Sequence, residues 1–299
     1  MQTNKSFLLL ILLFLTYCGH VHALALDKTL HQERSLYRNI LVKEGGEYRC
    51  MTFGRFHGHQ TCINHNKPQQ LVLEYTRGLM SGLYIIPAPK RVLVIGLGGG
   101  VIPMSLRSLY PNLIIDVVEL DEAVLNIAKA YFNFSEDSLL KAYVDDGRVF
   151  VRKQLRAGIS YDLIIIDAFD KDYIPEHLLT YEFLNQTKGI LNPDGIIAAN
   201  TFTEGALHQH EGATYQAVFN SVYNIDLSGG NRIIIAGNNV LSMEKIKQQV
   251  QIMDSKLTAT GVSSAVFLAG LNQMPVMNAR ILTDQYSPSN LLLQYGSRR

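Results

Sequence analysis

The sequence predicts an α/β protein in which a doubly wound parallel sheet follows a small N-terminal β unit. From Arg91 onward, short runs of β-branched and aliphatic residues alternate with helix-length segments, the order that builds parallel strands joined by helices. The first run breaks at the glycine-rich turn Gly96-Leu-Gly-Gly-Gly100, ahead of an apolar, helix-compatible segment from Val101 to Tyr110. Three acids, Glu119, Asp146 and Asp167, close successive strands of the series. In open sheets of this kind, ligands bind outside the carboxyl ends of the strands.

In chain order, the first residues read as a leader rather than as fold. Lys5 precedes the apolar run Phe7–Leu15, and Val21-His22-Ala23 offers the residues a signal peptidase reads, with cleavage after Ala23 or Ala25. A retained anchor is the alternative, but the run is shorter than the roughly 20 apolar residues of a membrane span. Residues 1–23 are therefore assigned to a signal peptide, 24–89 to the N-terminal unit and 90–299 to the nucleoside-binding domain. The protein is expected to be exported, periplasmic or secreted, with no membrane span after cleavage.

Within the N-terminal unit, Ser35–Val42 reads as a strand, and Glu47–Phe53 and Gln60–Ile63 as a hairpin around a turn rich in Gly and His. If Phe53 pairs with Gln60, Cys50 falls nearly opposite Cys62, and the two are expected to form a disulfide in an oxidising compartment. His57 and His59 resemble a metal pair but lack a third ligand nearby, so an exposed turn is the expectation. Gln70–Tyr84 is helical by the spacing of Leu71, Tyr75, Leu79 and Leu83, and Pro87 and Pro89 mark the passage to the glycine strand.

The strand Ile114–Glu119 ends in an acid about twenty residues beyond the glycines, the spacing at which a carboxylate accepts both hydroxyls of a ribose. Asp121–Phe132, Val149–Ala157, Glu176–Gly189 and Ser242–Leu257 read as helices; Leu140–Val144, Tyr161–Asp167, Gly195–Asn200 and Arg232–Ala236 read as strands. His208 and His210 fall in an expected loop after the fifth strand, and His177 at a helix start, where a structural hydrogen bond is the expectation. Charge is nearly balanced, with Lys+Arg 27 against Asp+Glu 26, so no field favours nucleic acid or an anionic membrane.

Val92–Gly100, Val118-Glu-Leu-Asp121, Asp146-Gly147 and Tyr161–Asp170 together resemble the polyamine aminopropyltransferases, the spermidine synthases. The resemblance is closest to a divergent branch in which Asp-Ala-Phe is followed by Ile-Pro-x-His-Leu-Leu-Thr, here Ile174–Thr180, and Leu282–Pro288 fits the same branch. It implies a Rossmann-like sheet of the class I methyltransferase type, acting in polyamine biosynthesis on decarboxylated S-adenosylmethionine and a small-molecule amine, without a metal. Gly96, Gly98, Gly99 and Gly100 would line the nucleoside, Glu119 the ribose, and Asp146 with Gly147 the adenine. Asp167 would deprotonate the attacking amine with Asp170 beside it, Tyr75 would reach the acceptor, and Tyr173 would gate it. The family also implies a homodimer formed through the N-terminal unit.

Four departures bear on the acceptor. The family's Asp in the glycine turn is Gly99 here, its Asp-Glu pair aligns with Leu71 and Val72, and a further Glu aligns with Arg77. Carboxylates offset the desolvation of a cationic diamine, so their replacement points away from a strongly cationic acceptor. Gly99 also removes what would repel the carboxylate of intact S-adenosylmethionine. Methyl transfer is therefore the second reading, and a non-catalytic nucleoside-binding protein the third.

Overall fold

The computed structural model describes residues 28–54, 58–168, 174–203, 205–239 and 242–294. The signal-peptide assignment, Asp170, Tyr173 and His57 lie outside the described residues.

Four antiparallel strands form the first sheet in sequential order: β1 (Lys28–Arg34), β2 (Asn39–Gly45), β3 (Tyr48–Phe53) and β4 (His59–Asn64). The single strand expected over Ser35–Val42 is instead a turn and then β2. Ser35 closes that turn, its N–H donating to the Arg38 carbonyl and its hydroxyl accepting from the Tyr37 and Arg38 amides. Ile40, Val42, Met51, Phe53 and Ile63 bury the inner face of this sheet with Val124, Ile127 and Phe132 of the larger unit.

The expected Phe53–Gln60 pairing does not occur. Thr52 pairs with His59 and Met51 with Thr61, which leaves Gln60 as the extra residue of a β-bulge. Cys50 still faces Cys62, and the two form a disulfide with Cα atoms 4.1 Å apart.

A short helix, α1 (Glu74–Met80), and a 3₁₀ turn (Ser81–Tyr84) lead into the second sheet. Its strands and helices follow as β5 (Arg91–Ile95), α2 (Val101–Leu109), β6 (Ile114–Glu119), α3 (Glu122–Tyr131), β7 (Leu140–Val144), α4 (Gly147–Ala157) and β8 (Tyr161–Ile166). After a 3₁₀ turn (Glu176–Leu178) come α5 (Tyr181–Gly189), β9 (Leu191–Phe202), α6 (Leu207–Val218), β10 (Ser221–Asp226) and β11 (Asn231–Gly237). The chain closes with α7 (Met243–Thr258), α8 (Ser264–Gly270), β12 (Asn272–Gln273) and α9 (Ser289–Gln294).

The strand order is β12-β10-β11-β9-β8-β5-β6-β7. β9, β8, β5, β6 and β7 run parallel, as expected, but β11 is antiparallel to both β9 and β10, and β12 to β10. The sheet is therefore mixed. The buried runs Val92–Ile95 and Leu163–Ile166 are apolar on successive residues because helices cover both faces of the sheet. The order reverses at β5, which leads to β6 on one side and has β8 on the other, and this opens the crevice that holds the site.

Candidate active site

At the reversal the strands part. The Gly96 amide bonds to the Val118 carbonyl on one side, and the Asp167 amide to the Ile95 carbonyl on the other, each at 2.8 Å. Gly96 holds φ +96°, and a Cβ there would overlap the Asp167 carbonyl, so only glycine lets the end of β5 come this close to that of β8. A cleft with about 680 Å³ of empty space, counted out to its mouth, opens between the strand tips and the small sheet. Tyr75, Gly96, Gly98, Glu119, Asp146, Gly147 and Asp167 all line it, so these predicted residues meet in one place.

Gly99 and Gly100 do not line the cleft. A Cβ on Gly99 would press on the Thr61 side chain at 2.6 Å, and one on Gly100 on the Phe134 ring at 2.6 Å. These two glycines serve the packing of the turn against β4 and the segment after α3. Thr61 thus occupies the space into which a Gly99 side chain would grow.

Glu119 is 9% exposed, and both of its oxygens are already oriented. One accepts from the Leu97 amide at 2.9 Å and the other from the Asp121 amide at 3.0 Å. Burial raises its pKa, and the two amides and the Arg38 charge oppose the rise. Glu119 lines the cleft, and each of its oxygens keeps a lone pair beyond these two bonds with which to accept a further donor.

Asp167 follows the last residue of β8, and burial pushes its carboxyl up to about 7, with a further upward push from Glu119. Asn200 donates to its Oδ1 at 3.1 Å, and Asn231 in turn donates to the Asn200 oxygen at 2.9 Å, which fixes the amide's orientation. The Tyr75 hydroxyl lies against the same carboxyl and donates to the Gln60 carbonyl at 2.5 Å. That carbonyl belongs to the bulged residue of β4, so the irregularity in the small sheet sets the position of Tyr75. Asp167 is thus a carboxyl that exchanges its proton near neutrality, held from two sides.

Asp146 caps α4, its Oδ1 accepting from the Arg148 and Val149 amides at 2.9 Å each. Its Oδ2 is 2.7 Å from His177 Nε2, and this bond is the main reason its pKa lies below the usual carboxylate value. His177 sits on the 3₁₀ turn at Glu176–Leu178 rather than in the long helix expected over Glu176–Gly189. Thr180 caps the separate helix α5 through the Phe183 amide. His208 and His210 are in helix α6, their rings on the carbonyls of Gly205 and Arg280, and they do not line the cleft. Arg77 also stays away from it, donating to the Leu71 and Val72 carbonyls.

Arg38, Phe53, Gln60 and His177 add to the lining from outside the strand tips, with the Arg38 guanidinium over the Phe53 ring at 4.4 Å. Asn200 had a sequence signal that could have revealed it: like the three acids, it is a polar residue closing a buried apolar run, Ile196–Ala199. Donor atoms of Cys50, His59 and Cys62 lie within 4.8 Å of one another. The two sulfurs are bonded to each other, so only one imidazole is left as a ligand, too few to hold a metal.

Residues 75–225 match the spermine/spermidine synthase domain. A polyamine aminopropyltransferase from Vibrio vulnificus is 37% identical over 294 residues, covering 95% of this chain and 98% of that one. This chain belongs to the spermine/spermidine synthase family. The spermidine synthase of Thermotoga maritima superposes with a TM-score of 0.64 at 19% identity, over 84% of this chain and 86% of that one. Human methyltransferase-like protein 13, solved in complex with SAH, superposes with a TM-score of 0.57 at 25% identity, over 62% of this chain and 93% of that one. The fold is thus that of the spermidine synthases, with a small antiparallel sheet ahead of a mixed central sheet.

Proposed function

We propose that this transferase moves an aminopropyl group from decarboxylated S-adenosylmethionine to an amine, releasing methylthioadenosine. The observation that carries the reading is the convergence of Glu119 and Asp167 on one cleft at the strand reversal, with Tyr75 and Asn200 against Asp167. The full-length likeness to a polyamine aminopropyltransferase supports the same reaction.

In this reading Glu119 accepts the ribose hydroxyls, and the Asp145–Gly147 turn with Pro175, His177 and Leu178 surrounds the base. Gly96 and Gly98 leave room for the sulfonium arm. The amine arrives protonated, gives its proton to Asp167 and attacks the carbon next to sulfur. A C–N bond forms as the C–S bond breaks, sulfur leaves as the neutral thioether of methylthioadenosine, and the positive charge passes to the newly alkylated nitrogen. A base with a pKa of about 7 suits this task, since it is partly unprotonated at neutral pH and still basic enough to accept a proton. The leaving group is built into the substrate, so positioning and proton removal are what the protein supplies.

Methyl transfer is the second reading, favoured by one observation. Thr61 fills the space beside Gly99, where the family carries an acid, and a methyltransferase shares the fold. Parallel calorimetry with methylthioadenosine, decarboxylated S-adenosylmethionine and the intact form separates the two, with the product's mass as the second readout. Tighter binding of the decarboxylated form supports aminopropyl transfer; preference for the intact form overturns it in favour of methyl transfer. Binding of none supports a scaffold without catalysis.

Export is part of the same proposal. The apolar run Phe7–Leu15 after Lys5 and the Cys50–Cys62 disulfide both support it, and no described helix is long and apolar enough to cross a membrane. N-terminal sequencing of mature protein that begins at Leu24 or Leu26 would agree with cleavage, and a retained Met1 would refute it.

A further inference from the structure

Residues 174–178 form the outer wall of the nucleoside end of the cleft, with Pro175, His177 and Leu178 in its lining. On its inner side Ile174 and Leu178 are buried in the core with Ile95, Val118 and Ile166 of the sheet. The wall's regular structure is one 3₁₀ turn of three residues. Its polar groups are held by Asp146, at the His177 ring, and by the far end of the chain, in the segment that contains the Leu282–Pro288 motif.

Asn290 directs its whole side chain at the wall. Its Oδ1 accepts from the Ile174 amide at 2.9 Å, and its Nδ2 donates to the Ile174 carbonyl and to Glu176 Oε1, each at 3.1 Å. Its own amide donates to the same Glu176 oxygen at 3.2 Å, and the Ser287 hydroxyl donates to the Glu176 carbonyl at 3.0 Å. A few residues back, Asp284 accepts both arms of the Arg148 guanidinium, at 2.6 and 2.7 Å. A bidentate, charge-assisted pair of this kind is both strong and directional. Arg148 lies in the first turn of α4, its amide donating to the Asp146 cap, and Asp146 holds His177 on its other oxygen. The bonds therefore close a ring: tail to Arg148, Arg148 to Asp146, Asp146 to His177, and back through Glu176 to the tail.

We propose that Asp284, Ser287 and Asn290 are positioning residues that clamp the 174–178 wall in its nucleoside-binding arrangement, so that the C-terminal segment sets affinity for the adenosyl group without touching the reacting atoms. The inference rests on the reading of the cleft as an adenosyl site. The bonds run to backbone groups and to one carboxylate of the wall, not to the core, and Leu291 of the same segment stays 62% exposed. Leu282 and Ser289 are buried and Leu292 and Leu293 pack against the core, so the segment has its own anchorage and from it reaches the wall through Ser287 and Asn290. Loosening the clamp lowers the fraction of molecules with the wall in place, and apparent affinity falls by that fraction.

Methylthioadenosine is the probe, titrated by calorimetry into the full chain and its variants, with turnover measured at saturating substrates. Asn290→Ala removes three of the wall's bonds and is expected to weaken binding by about ten-fold while kcat stays within about three-fold. Asn290→Asp sets a carboxylate against Glu176 and is expected to bind more weakly still. Adding Glu176→Gln to it restores a donor and is expected to recover most of the loss, which a merely destabilised tail would not do. Ser287→Ala, which removes one bond to the wall, gives a smaller loss and serves where the Asn290 variants do not fold. Unchanged affinity in the variants, a fall in kcat with affinity intact, or no recovery on adding Glu176→Gln would overturn the clamp while leaving the site reading in place. Failure of the unaltered protein to bind methylthioadenosine would overturn both.

Discussion

Replacing Asp167 by Asn separates what the carboxyl does for the reaction from what it does to the fold. Burial holds its pKa at about 7 instead of the ordinary 3.8. The folded chain therefore keeps a proton that the unfolded chain has already released. Stability falls as pH rises between about 4 and about 7, and levels off above that, where both states are ionised. Taken at face value the shift opposes folding by about 4 kcal/mol above pH 7, and solvent contact in the cleft with the amide's own burial reduces the gain to about 2 kcal/mol. Asparagine keeps the shape and can still accept from Asn200, so it removes the charge without opening a cavity. The variant is expected to melt roughly 4–8 °C above the parent at pH 8, with the difference closing towards pH 4. Turnover is expected to fall at least about 100-fold, with methylthioadenosine affinity within about ten-fold. Thermal melts of both proteins across pH 4–8, beside initial rates, make the measurement. A melting difference that does not change with pH would refute the buried-carboxyl argument, and undiminished turnover would refute the base.

Other outcomes follow from the same geometry. In the unaltered enzyme, kcat/KM should rise with pH through about 7 as Asp167 loses its proton, and a profile flat from pH 5 to 8 would contradict that role. Gly96→Ala forces a Cβ onto the Asp167 carbonyl at a φ of +96°, so it should destabilise the fold by about 2 kcal/mol or more and abolish turnover, as read by melting and rate together. Glu119→Gln keeps one acceptor and offers an N–H to amides that need an acceptor. Nucleoside affinity should drop about 10- to 100-fold in calorimetry. Replacing both Cys50 and Cys62 by Ser opens a link across 12 residues and should cost about 2–4 kcal/mol in denaturant melts, an effect that reductant should mimic on the parent.

Strands β5 and β8 were legible to within a residue because burial on both faces demands unbroken apolar runs, a pattern that few other environments produce. The acids at strand ends were legible for the converse reason: a charge that closes such a run needs an explanation, and at Glu119 and Asp167 the cleft supplies one. Helix α6 was hidden because its buried side mixes Leu207, Ala213, Tyr215 and Val218 with Gly212, Thr214 and Glu211, the last paired with Arg232 at 2.7 Å. Its buried side thus includes Glu211, Gly212 and Thr214 while Ala217 faces out, so apolar and polar residues do not sort by face and no clear 3.6-residue period results. The antiparallel half had a signal that went unused: Gly229-Gly230 between Asp226 and Asn231 is a hairpin turn, and a hairpin cannot join parallel strands.

The hardest feature to read was Gly99, because the sequence there shows only a missing side chain. An absent acid looks like an emptied pocket, but the structure shows the space filled by Thr61 from a strand some forty residues earlier. Nothing local to the glycine turn could announce that. The bulge at Gln60 compounds the difficulty, since one extra residue shifts the partner of His59 to Thr52 while leaving the Cys50–Cys62 pairing unaltered. The same bulge aims the Gln60 carbonyl at Tyr75, and Tyr75 lies against Asp167. A register irregularity in the small sheet is thereby connected to Asp167 in the large one, and for that reason the two sheets line one cleft rather than standing as a domain with an appendage.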